Sequence, residues 1–311
     1  MRDEWNSYDR ALILRMNDAG TDIRTVVEYV SPPDVCAEKD PAINFKSGCI
    51  RENLLYVSTN TEVLIYEVPA FRLAGYLSLP WFNDVHYVCP SRGGHLLVVS
   101  TGLDMVAEVT IEGRTVREWP VLDEETWARF SRQTDHRKIP TTKPHRSHPN
   151  SVVETGDDIW VSRAQQKDVS CLTQPGKRVG FCGMGHDGVK YNGRLYFTTL
   201  NGYIHILDEN NMALEETIDL NPICGRELDL GWMRGILPLD GGLCWVGFTR
   251  LRPTKFQENL TWLRHGSKHY HLPTRVALYD LTRRLLVREV DLEPYSIHAV
   301  FSILPEEGTQ N

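Results

Sequence analysis

Four histidines, His86, His148, His186 and His298, each stand at or near the head of a short β-prone run: HYVCP, HPNSVVE, HDGVKY and HAVFSILP. Arg234 heads a fifth such run, RGILPL, and Asn44 falls at the same place in the unit before His86. A neutral imidazole offers one donor and one acceptor nitrogen and titrates near neutral pH, so imidazoles gathered in one place suit two chemistries. Three or four of them without a paired carboxylate can hold a borderline metal, Fe, Cu or Zn, with a position left open for substrate or dioxygen. Alternatively, one imidazole acts as nucleophile or general base while the others, with arginine and asparagine, stabilise charge on a transferred anionic group. Residue types alone leave both open.

The elements that must position these residues repeat along the chain. Residues 52–79, ENLLYVSTNTEVLIYEVPAFRLAGYLSL, contain three β-prone runs separated by turn residues. The same layout returns at 93–119, 156–181 and 192–220, and a fifth copy begins at GGLCWVGFTR and resumes at TRVALYDLTRRLLVREVDL. One further strand precedes each copy and carries the histidine or Arg234, with Asn44 at that place before 52–79. Four antiparallel strands per unit is the size of a propeller blade. The lone run HAVFSILP, together with ALILRMN and IRTVVEYV near the start, predicts a sixth blade shared by the two ends of the chain. The expected fold is therefore all-β: a six-bladed β-propeller over residues 1–311, closed by pairing of N- and C-terminal strands. Aligned inner strands surround one end of a central channel, so the four histidines should converge there. A single histidine in a strand is ordinarily a hydrogen-bonded structural residue; recurrence at one repeat position is what points to a site.

Two stretches break the period, 121–147 and 251–274. The first begins with a helix-like acidic segment, DEETWARFSRQ, and turns basic; the second is basic, aromatic and rich in histidine. Insertions of this length are either surface elaboration or binding loops. The histidines outside the inner strands, at 95, 136, 145, 205, 265, 269 and 271, are expected to be structural, apart from those in the second insertion.

Composition narrows the class further. With 311 residues, 41% hydrophobic and 24% charged, the chain has ample material for a buried core. A net charge of −7 without a basic run argues against nucleic acid or an anionic membrane as partner. No apolar run reaches membrane-spanning length and the first residues lack a signal-peptide core, so the expected location is cytoplasmic. Seven cysteines without a CxxC pair predict reduced thiols.

The stretch HPNSVVETGDDIWVSR resembles the active-site stretch of the bacterial arylsulfotransferases that use no nucleotide sulfate donor, a six-bladed propeller family. That family's pattern is His-x-Asn-Ser-Val followed one strand later by Ser-Arg, and His148, Asn150 and Arg163 stand where it places them. GMGHDGVKYNGRLYFTTLNG is similar to the family's Gly-x-His-Asp stretch, and NDVHYV to the region of its upstream histidine. The resemblance implies that His186 carries a sulfuryl group covalently and that Arg163 or Arg234, with Asn150, holds its oxygens. His148 or His86 then moves the proton. The expected partner is a small aromatic or anionic substrate, with no cofactor. The alternatives are a metal enzyme, oxygenase or lyase, liganded by His86, His148, His186 and His298, and a propeller that only binds a partner across its face.

Overall fold

The computed structural model describes residues 8–223, 230–251 and 272–306. Within them the chain folds into five four-stranded antiparallel sheets and one two-stranded sheet, each four-stranded sheet built from consecutive strands. The first strands of the five blades are Gly48–Arg51, Val85–Pro90, Pro149–Thr155, Gly185–Tyr191 and Trp232–Pro238, and successive ones lie against each other around the centre. The second and third strands carry runs such as LLVVS and MVAEV, buried at nearly every position because each blade is covered on both faces by its neighbours. Outer strands are more exposed, as in LEETID at Leu214–Asp219.

The five blades correct the expected six. Strands Ala11–Met16 and Ile23–Tyr29 form only a two-stranded hairpin, and residues 297–304 adopt no ladder with it. The C-terminal stretch nevertheless fills the gap between the last blade and the first. Ser47 Oγ donates to the Phe301 carbonyl at 2.7 Å, while Thr249 Oγ1 donates to the Val300 carbonyl at 3.2 Å and accepts its N–H at 3.0 Å. Side-chain hydroxyls, not strand pairing, satisfy this backbone, which is why a strand-like sequence lies there without a strand. Two glycines make the approach possible: a Cβ on Gly235 would come within 3.1 Å of the Ser302 carbonyl carbon, and one on Gly247 within 2.5 Å of Val300 Cγ1. The hairpin adds apolar cover on both sides. Ala11 and Val27 join the core of the first blade, and Leu14, Met16 and Ile23 pack with Trp245, Val276 and Ile303 of the last blade and the C-terminal stretch.

Four of the five inner strands share one irregularity, which Gly48–Arg51 lacks. Their register against the second strand shifts between Val85 and Tyr87, between Pro149 and Val152, between Gly185 and Gly188, and between Met233 and Ile236. A β-bulge leaves residues out of the ladder and re-aims their side chains. The bulged residues are His86, Asn150 with Ser151, His186 with Asp187, and Arg234 with Gly235. The fold thus places its chemically capable residues at the positions where the backbone departs from the ladder.

The first insertion, 121–147, forms a short helix at Thr126–Arg129 and a 3-10 turn at His136–Lys138. Most of the second, including His265, His269 and His271, lies outside the described residues. The six described cysteines are free thiols. Among the described residues no helix is long and apolar enough to cross a membrane.

Candidate active site

Three of the four expected histidines meet. The rings of His86 and His148 are 5.0 Å apart between centroids and those of His86 and His186 are 5.9 Å apart. Phe301 lies against both His86, at 6.2 Å, and His186, at 6.4 Å. Two buried cations face the same phenyl ring: the Lys46 ammonium at 4.5 Å and the Arg234 guanidinium at 4.7 Å. Burial this complete is unusual for charged groups and requires compensation.

Two carboxylates supply it. Asp84 sits 3.2 Å from Lys46 Nζ. Burial pushes the Asp84 carboxyl up, but Lys46 and the neighbouring His86, His145 and Lys143 together outweigh it and hold the group well below the usual carboxylate range. Asp187 accepts hydrogen bonds from the Gly235 N–H at 2.6 Å, Ser47 Oγ at 3.1 Å and His186 Nδ1 at 3.0 Å. Those bonds outweigh its burial and keep it ionised below the usual range. Lys46 is shifted down by burial, and Arg234 is lowered to about 10 for the same reason. Two cations and two carboxylates therefore balance at the centre.

The imidazoles are neutral. Burial drives His86 and His148 well below the ordinary histidine value and lowers His186 and His145 as well. Their tautomers follow from their partners. His86 Nδ1 lies 3.0 Å from the Asp84 carbonyl oxygen, and His186 Nδ1 lies 3.0 Å from an Asp187 carboxylate oxygen. Both partners only accept, so Nδ1 carries the proton and Nε2 carries the lone pair. His186 Nε2 is buried and has no hydrogen-bond partner.

His148 reaches the centre from a strained loop. Its φ is 58°, a left-handed conformation that costs a residue with a Cβ about 1–2 kcal/mol. Asp104 over-determines it: one carboxylate oxygen accepts the N–H groups of Ser147 at 3.0 Å and His148 at 2.8 Å, the other those of Arg146 at 3.1 Å and the Arg129 guanidinium at 3.0 Å. Backbone strain held this firmly is a feature of functional sites.

The other expected residues take different places. Asn150 bridges inner strands, its amide donating to the carbonyls of His148 at 3.2 Å and Gly185 at 3.0 Å. Arg163 is committed to its own blade through a forked pair with Asp168, at 2.8 and 2.7 Å, and a bond to the Val121 carbonyl at 2.9 Å. His298 lines a cleft of 340 Å³ together with Asn44, Tyr8 and Tyr295, between the hairpin and the C-terminal stretch. Phe301, three residues further on, takes the place expected of His298. Among the described residues no group of three or more histidine, cysteine, aspartate or glutamate side chains is arranged to hold a metal ion. Of the ligand set His86, His148, His186 and His298 expected for Fe, Cu or Zn, the first three meet and His298 lies in the cleft.

Sequence reasoning missed Lys46, Asp84, Asp187, His145 and Phe301. Asp84 and Asp187 were readable as the flanking acids of D-x-H and H-D. His145 carried no repeat signal, because an insertion brings it in.

No family model matches the chain, and no curated protein does. Among solved structures the chain is similar to a protein of unknown function from Bacteroides caccae, with a TM-score of 0.62, 13% identity and 98% of each chain covered. It is also similar to a chain of the mitotic checkpoint complex, with a TM-score of 0.52, 9% identity and coverage of 97% of this chain and 81% of that one. The WD40 β-propeller domain of Doa1 gives a TM-score of 0.50 at 10% identity, over 94% of this chain and 77% of that one. At such identities the likeness is one of fold, and the fold is a β-propeller.

Proposed function

We propose that the chain is a group-transfer enzyme whose attacking atom is His186 Nε2, acting on a small aromatic substrate that bears an anionic sulfuryl group. The observation that carries this is the pairing of a buried, unpartnered Nε2 with an Nδ1–H fixed on an ionised carboxylate. That arrangement activates an imidazole: the carboxylate fixes the tautomer and stabilises the positive charge that develops on attack.

In the donor half-reaction the Nε2 lone pair attacks sulfur in line, the S–O bond to the aryl oxygen breaks, and the phenolate leaves with the electron pair. An N–S bond now links His186 to SO3, the ring is an imidazolium, and its Nδ1–H is still donated to the Asp187 carboxylate. Arg234 and Lys46 stabilise the sulfuryl oxygens and the departing phenolate, since both cations lie at the centre with Phe301. In the second half-reaction an acceptor hydroxyl loses its proton to His148 or His86 and attacks sulfur, restoring neutral His186. The resemblance in HPNSVVETGDDIWVSR and GMGHDGVKY supplies the sulfuryl group as the transferred species. Arg163, bound to Asp168, is left out of the mechanism, and Lys46 takes up the role.

The test is direct. Incubating the protein with p-nitrophenyl sulfate should release p-nitrophenolate and add one SO3 mass, located on His186 by peptide mass spectrometry. His186→Asn should show neither. Absence of both adduct and release in the wild type across a panel of aryl sulfates and phosphates would sink the proposal and favour a propeller that only binds a partner.

A further inference from the structure

The insertion between the second and third blades brings a fourth imidazole to the centre. His145 Nδ1 lies 2.8 Å from His148 Nδ1, with the rings stacked at 5.0 Å between centroids. Two neutral imidazoles can approach this closely through the same kind of nitrogen only if one donates and the other accepts. The next partner decides which. Thr142 Oγ1 lies 2.5 Å from the Gly102 carbonyl, which must accept the hydroxyl proton, and 3.2 Å from His145 Nε2. With its proton spent on Gly102, Thr142 receives the Nε2–H of His145. His145 Nδ1 is then a lone pair, and His148 Nδ1 must be the donor.

We propose that His145 is a positioning residue that locks His148 in its Nδ1–H form, leaving His148 Nε2 as the base, and that it receives the proton which His148 passes on. The relay deepens the transfer reaction above and rests on it for the identity of the proton; the tautomer lock stands on the geometry alone. The step balances. The acceptor hydroxyl proton goes to His148 Nε2, the His148 Nδ1 proton goes to His145 Nδ1, and the acceptor oxygen forms its bond to sulfur as the His186 Nε2–S bond breaks and its electron pair returns to Nε2. His145 ends as an imidazolium with its Nε2–H on Thr142, and His148 ends neutral.

The surroundings favour that direction of travel. Asp84 and Asp104 face His145 and stabilise the charged form, Lys46 and Lys143 oppose it, and burial lowers it; His148 is opposed by burial, His86, His145 and Lys143, and favoured by Asp84. Of the two, His148 carries the stronger downward shift. A proton taken by His148 therefore passes on to His145.

The test uses the full-length protein labelled with 15N-histidine. Nitrogen shifts and long-range couplings assign each ring's tautomer. In the wild type at pH 7.5 His148 should be the Nδ1–H form. His145→Asn keeps an acceptor oxygen facing His148 and should preserve that form, whereas His145→Leu should convert it largely to Nε2–H. Turnover of aryl sulfate with a phenolic acceptor should fall about tenfold or more in both variants, the scale of a lost acid–base contribution. Formation of the His186 adduct, which needs no acceptor proton, should stay within about twofold in His145→Asn, the variant that keeps the tautomer. An Nε2–H form of His148 in the wild type, or an unchanged tautomer in His145→Leu, overturns the proposal. An adduct on His186 without the tautomer lock leaves the transfer reaction standing and removes this inference. A tautomer lock without any adduct does the reverse for the lock and removes the relay.

Discussion

Acidification from pH 7.5 to 5.5 should destabilise this protein, and the imidazole centre supplies most of the effect, with a smaller share from His205, which burial lowers to about 4. His86, His145, His148 and His186 are all shifted down by burial, so the folded chain resists protonating them. In the unfolded chain each regains an ordinary value near ~6.5 and by pH 5.5 binds about 0.9 of a proton. The sign follows from proton counting: the unfolded state binds more protons, so stability is complete above about 6.5 and is lost as the pH falls toward the folded values. For a group that stays neutral in the folded state, the loss over these two pH units is about 1.4 kcal/mol. Four such groups set a ceiling of about 5 kcal/mol, comparable with the ~5–15 kcal/mol of a typical domain. Asp84 and Asp187 do not contribute here, because depressed carboxyl groups lose their stabilisation only below the ordinary carboxylate range. Urea titrations at fixed pH values would measure the midpoint, and the double change His145→Asn with His148→Asn should lower the proton-linked slope by about two protons. A midpoint constant between pH 7.5 and 5.5, or a slope unaffected by the double change, would refute the neutral buried centre.

Four further outcomes follow from the same contacts. Asp187→Asn removes the charge that balances Arg234 and the acceptor for His186, so it should destabilise by about 3–5 kcal/mol in denaturant and abolish the His186 adduct. Phe301→Ala should cost about 3–5 kcal/mol and speed modification of His186 by diethyl pyrocarbonate, because the ring covers Lys46, Arg234, His86 and His186. Arg234→Lys should slow adduct formation about tenfold or more, whereas Arg163→Lys should lower the melting temperature by breaking the fork with Asp168 and leave adduct formation in the folded protein near wild type. Gly235→Ala should be less stable by about 1–3 kcal/mol, since φ there is 75° and the C-terminal stretch passes within 3.1 Å of the added carbon.

The blade repeat was legible because alternation and turn chemistry are local, and the inner strands began within two residues of the starts of HYVCP, HPNSVVE, HDGVKY and RGILPL. Convergence of His86, His148 and His186 followed from that alignment, since equivalent repeat positions must meet around a ring. The C-terminal run HAVFSILP broke the rule. Its backbone is held by Ser47 and Thr249 hydroxyls without a ladder, so no strand register fixes which residue faces inward, and Phe301 occupies the centre while His298 lines a cleft. Arg163 shows the same limit in another form: a Ser-Arg pair reads as an anion holder until its neighbour across the strand proves to be Asp168. His145 and the charge balance of Lys46, Asp84, Asp187 and Arg234 depended wholly on tertiary structure. An insertion has no repeat position to align, and the protonation state of a buried group is set by which atoms surround it in space, which spacing along the chain does not contain.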